Sequence, residues 1–172
     1  MKKNLFLVLT VVLFGFIHLS YVKADSVRDE LREDLEGLYN WASNNLMPRS
    51  KKDLQKGHID GDTRDIVKKI HANSHWLRGH MISQINEGWS MNQIRDDYEQ
   101  EEHYRDLYEL TREAMERTDN RDAEKLNEML IRFNERFVLP IGEIVGYRMH
   151  GKRRYNEHSR ERYDNRHRRD NW

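Results

Sequence analysis

In Asn86-Glu87-Gly88-Trp89-Ser90-Met91-Asn92-Gln93-Ile94 one helix stops and another starts within a single turn. Gly88 can take the left-handed backbone that closes a helix, and Ser90 followed three residues later by Gln93 reads as a capping box. Trp89 and Ile94 fall at the two positions of a hydrophobic staple, one before the cap and one four residues into the helix. So short a connection forces its two helices to lie antiparallel.

Upstream of the turn, the spacing predicts a helix from about Thr63 to Asn86 with an apolar arc of Ile66, Ile70, Leu77, Met81 and Ile85, widened by Val67 and Ile82. Gly79 weakens this helix unless a neighbour packs on its bare backbone. Downstream, Met91 to about Thr118 turns an aromatic inner face of Ile94, Tyr104, Leu107, Tyr108, Thr111 and Met115. Thr118-Asp119-Asn120 then breaks the pattern and caps a further helix, striped by Ala123, Leu126, Leu130, Phe133 and Phe137. Pro140 removes a backbone hydrogen bond and should kink or end it, although Ile141, Ile144 and Val145 continue an apolar face.

Nearer the start, Val27, Leu31, Leu35, Leu38, Ala42 and Leu46 recur at helical steps, so the first helix spans about Ser26 to Leu46. Met47-Pro48 should end it, because the residue before a proline is pushed out of helical geometry. Residues 48–61 then read as the one long connection of the body. Within them His58-Ile59-Asp60-Gly61-Asp62 lacks the alternating ligands and closing glutamate of a calcium loop, and the stretch reads as a loop in which Asp62 or Thr63 caps the next helix. The expected fold class is all-α: an antiparallel four-helix bundle over 25–146, after a signal peptide and before a disordered basic C-terminal tail.

The ends carry the information about compartment. Lys2 and Lys3 precede an apolar run of 13 residues from Leu5 to Ile17, and Val22-Lys23-Ala24 matches what a signal peptidase reads. The run is shorter than the roughly 20 residues that span a bilayer. Residues 1–24 are therefore read as a cleaved export signal ending at Ala24, which leaves no transmembrane segment in a secreted or otherwise extracytoplasmic mature chain. The absence of cysteine excludes disulfides and thiolate metal sites. The formal charge of zero conceals an asymmetry: residues 25–146 hold 18 Lys and Arg against 26 Asp and Glu, and residues 147–172 hold 9 against 4. From Gly151 to Asn171 no aliphatic residue occurs, so the tail has little to bury against the entropy of ordering.

Candidate chemistry is sparse. His71 and His75, four apart, form the half-site spacing of a two-histidine metal centre, and counting outward from Gly88 puts His75 level with Glu101. A divalent metal held by His71, His75, Glu101 and Asp97 is thus one expectation, set against ordinary polar pairing of the same groups. No Cys-x-x-Cys-His haem motif, phosphate loop or nucleophile with its base occurs, so no cofactor and no enzymatic activity are expected.

The tail's arginines, interleaved with Tyr155, Tyr163 and Trp172, suit an anionic surface or an unknown protein partner. Dilution by acids argues against sequence-specific nucleic-acid recognition. Gly151-Lys152-Arg153-Arg154 resembles the amidation and basic-processing site of secreted peptide hormones, which implies cleavage at Lys152, Arg153 and Arg154; an acidic body followed by a basic tail is similar to antimicrobial-peptide precursors. Three functions follow as expectations: a non-enzymatic binding bundle, a metal-binding or metal-sensing bundle, and a secreted precursor. Pairing of two copies through the aromatic helix stays open.

Overall fold

The computed structural model describes residues 26–147, and among these all regular structure is helical. The expected export signal with Ala24, and the basic tail from 148 onward with Lys152, Arg153 and Arg154, lie outside the described residues. Helix α1 occupies 26–55, with a π-helical turn at Ala42–Leu46 and a last section at Met47–Gln55. Helix α2 is Gly61–Asn86, α3 the short Met91–Arg95, and α4 Tyr98–Arg117. Helix α5 runs Glu124–Phe133, through a π-helical turn at Asn134–Val138, to Leu139–Ile144.

Neither proline ends its helix, against the expectation for Met47-Pro48 and in keeping with the apolar face expected to continue beyond Pro140. Pro48 and Pro140 each stand second in the helical section that follows a π turn, and both helices continue past them. In a regular helix the pyrrolidine ring strikes the carbonyl four residues back. Here the residue before each proline reaches one residue further, Met47 N–H to the Ala42 carbonyl and Leu139 N–H to the Asn134 carbonyl. The widened turn makes room for the ring without stopping the helix. Helix α1 therefore ends at Gln55 rather than Leu46, and the connection expected over 48–61 shrinks to Lys56–Asp60.

Two other boundaries move. Asp60, rather than Asp62 or Thr63, caps α2 by accepting from the Thr63 N–H at 2.7 Å. The helix expected from Met91 to Thr118 is broken at Asp96 and Asp97, where Asp97 accepts from the Glu99 and Gln100 N–H groups and starts α4 afresh. The turn at Gly88 forms as read: Gly88 has φ +83°, Trp89 N–H donates to the Gln84 carbonyl at 3.0 Å, and the Ser90–Gln93 capping box is complete. Gly146, φ +78°, closes α5 in the same way through Tyr147 N–H to the Gly142 carbonyl at 2.8 Å. Tyr147, assigned to the tail by composition, stacks on Tyr104 with ring centroids 4.7 Å apart.

Most of the expected stripe residues are buried, while Val27, Ile82, Tyr108 and Ile144 are half-buried. Leu31, Leu35, Leu38, Ala42 and Leu46 of α1 meet Ile66, Ile70, Leu77 and Met81 of α2, with Leu107 of α4 and Leu126, Leu130 and Phe133 of α5, in one core. Partners run in opposite directions along each neighbouring pair. Arg32, Glu36 and Ser43 of α1 meet Asn86, Arg78 and His71 of α2 in turn, while Thr118, which caps the end of α4, and Tyr104 within it meet Asn127 and Val138 of α5. Helix α5 also reaches α1, where Trp41 and Phe137 have ring centroids 5.9 Å apart.

Glycines on these helices do opposite work. Gly79 is exposed and a Cβ there meets only open space, whereas Gly142 is buried against the Tyr104 phenol. Gly79→Ala should raise stability by about 1 kcal/mol. Gly142→Ala should lower it by about 1 to 3 kcal/mol, since the methyl forces Tyr104 out of place. Urea unfolding of the two variants checks both signs.

Candidate functional site

Helix α2 carries polar and aromatic side chains on both flanks of its buried arc, and each flank serves a different neighbour. Toward α1, His71 Nε2 lies 2.9 Å from Ser43 Oγ. The Tyr39 ring sits 5.5 Å from the His71 ring and 5.3 Å from the His75 ring. Arg78 lies over Tyr39 and donates to Glu36 at 2.7 Å. Lower on the same flank, Arg64 donates to Ser50 Oγ at 3.0 Å.

Toward α4, Trp76 is stacked between two imidazoles: His80 on its own helix at 4.4 Å and His103 of α4 at 3.7 Å between ring centroids. Each histidine is held from outside the stack. His103 Nδ1–H donates to Asn73 Oδ1 at 2.9 Å, and His80 Nε2–H donates to Asp97 Oδ2 at 2.9 Å. The Gln84 amide donates to the same Asp97 oxygen. Asp97 thus caps α4 with one oxygen and ties α4 to α2 with the other. Burial alone raises its carboxyl, but the bonds from His80, the Gln100 N–H and Gln84 outweigh it and hold the group below the usual carboxylate range.

The four residues expected to bind metal are not brought together. His71 and His75 turn to Tyr39 on the α1 side, Asp97 is taken by His80 and Gln84 on the α4 side, and Glu101 is exposed on α4. The height is as counted, because the contacts at 80/97 and 73/103 bracket the level of His75 and Glu101. What differs is the direction around α2. Among the described residues no group of three or more His, Asp or Glu is placed to hold a metal ion, and no helix is long and apolar enough to cross a membrane.

Trp76, His80, His103, Asn73 and Gln84 escape a reading that looks for ligand spacing. The available signal is Trp76 four residues before His80, with Asp97 just beyond the turn. A separate cleft of about 350 Å³ at the far end is lined by His58, Asp60, Thr63, Arg117 and Asn120. Its Asp60 is engaged as the α2 cap and lies 4.0 Å from Arg117. Comparison with protein-family models, with curated proteins and with solved structures finds no match for this chain.

The α1 flank sets a pH dependence. Burial, then the charges of His75 and Arg64, lowers His71 from its ordinary value of 6.5, so the folded chain favours the neutral ring. The unfolded chain takes up the proton first as pH falls below 6.5; the stabilisation is complete above that pH and is lost through the window beneath it. His71→Gln should flatten the fall in urea-unfolding stability between about pH 7.5 and about pH 5.5, while leaving the value at the upper pH closer to that of the parent chain.

Proposed function

We propose that the chain is an exported, non-enzymatic protein built as an antiparallel four-helix bundle, which works by binding an anionic surface through its basic tail. The observation that supports this is where polarity is used. Side chains in the helix seams are engaged with one another, as Ser43 with His71, Glu36 with Arg78, His80 with Asp97 and Asn73 with His103. The surplus of positive charge begins only after the cap at Gly146 has closed the last helix. On this reading the body is a support to which the binding segment is tethered.

Electrostatic contact of this kind contributes on the order of 1 kcal/mol for each Lys or Arg near an anionic membrane surface, and it weakens with salt. The mature chain should co-sediment with vesicles containing phosphatidylserine at low salt and not with pure phosphatidylcholine. Replacing Arg153, Arg154, Arg160 and Arg162 by Gln should abolish most of that binding. Equal sedimentation with both vesicle types, or no effect of the four replacements, counts against the proposal.

A further inference from the structure

The end of the bundle from which the tail departs is the acidic one. Tyr147 packs on Tyr104, and the charges of Glu101 and Asp97 help keep its phenol raised, to about 12, behind the larger effect of burial. The chain therefore leaves the body beside the first turns of α4. Their outer surface carries Glu99, Glu101 and Glu102 around Tyr98, which among the described residues is the most exposed large hydrophobic at 70%. Among the described residues Glu99 and Glu101 have no ion-pair partner, and Glu102 reaches only Arg105, at 4.0 Å with both side chains more than half exposed.

On the opposite side of the same end, Asp34 is raised by burial and then by Glu30 and Glu33, with Arg136 acting against them. Negative charge is thus in excess at this end of the body as well as over residues 25–146 as a whole. First-turn acids suit the helix dipole of α4, but that attraction leaves their outward charge available.

We propose that the basic segment beginning at Lys152 folds back on the outer face of α4 and is held there by Glu99, Glu101 and Glu102, with arginines stacking on Tyr98. The reach is sufficient. Lys152 stands five positions beyond Tyr147, which is roughly 17 Å of extended chain. The exposed face from Tyr98 to Arg105 is about 10 Å long at the helical rise. Tethering so close holds the segment at an effective concentration in the millimolar range, so weak individual pairs suffice. Arginine also prefers aromatic faces and carboxylates, which this face offers together. The consequence is a tail covered by its own body until a stronger polyanion competes for it. This docking stands or falls independently of the vesicle binding proposed above.

Because the chain has no cysteine, a single nitroxide can be placed at Asn156→Cys in the otherwise unaltered mature chain. At low salt, amide resonances of 98–106 should lose most of their intensity, whereas those of 110–130 at the far end keep theirs. Raising the salt to about 0.5 M, where the Debye length is only about 4 Å, should restore them. Glu99→Lys with Glu101→Lys and Glu102→Lys should abolish the effect with the helical circular dichroism unchanged. Broadening spread evenly over both ends, or insensitive to salt, overturns the proposal. So does broadening of an isotope-labelled, nitroxide-free copy mixed with the spin-labelled chain, which assigns the contact to a second molecule.

Discussion

The antiparallel register of α2 against α4 is the constraint on which the rest of the molecule depends. It is set in the few residues between Gln84 and Asp97, where Gly88 closes one helix, the Ser90–Gln93 box opens a short one and Asp97 opens the next. Asp97 then binds His80 and Gln84, so the residue that starts α4 also fixes its height on α2. One helical turn further, Trp76 lies between His80 and His103, and at the far end Arg117 stands beside Asp60. A slip of one turn separates every pair between α2 and α4 at once, which is why short-range capping here has long-range consequences.

The second constraint is the passage of two helices through proline. Without the π turns, α1 would stop near Leu46 and α5 near Leu139, and the core would lose Ile59 from its flank at one end and Val145 at the other. Helix α5 has a further requirement beyond its turn. The Tyr104 hydroxyl donates to the Val138 carbonyl at 2.7 Å, which demands that Gly142 present no side chain. Aromatic bulk on α4 is therefore matched by bare backbone on α5, the close approach that glycine permits.

The apolar stripes were legible because burial of one helical face imposes a period that the residues must follow, and Leu31 to Leu46, Ile66 to Ile85 and Ala123 to Phe137 follow it. The turn at Gly88 was legible because its chemistry is local. Met47-Pro48 does not end α1, because the wider turn before it accommodates the ring; at Pro140, expected to kink or end its helix, the apolar face continues through the same device. Glu101 and His75 show a different shortfall. Counting from a turn yields height along two paired helices, but not which neighbour a flanking residue faces, since that depends on where α1 sits. Tyr39 decides the matter for His75, and nothing in the spacing of the histidines points to Tyr39.

A two-dimensional NOE spectrum of the full chain tests the register most directly. Trp76 indole protons should show cross-peaks to the imidazole protons of both His80 and His103, whose ring centroids lie 4.4 and 3.7 Å away. The His80 contact lies within one helix and appears whatever α4 does. Its presence without the His103 cross-peaks would mean that α4 does not lie on α2 as described, and the account of the seam would be wrong.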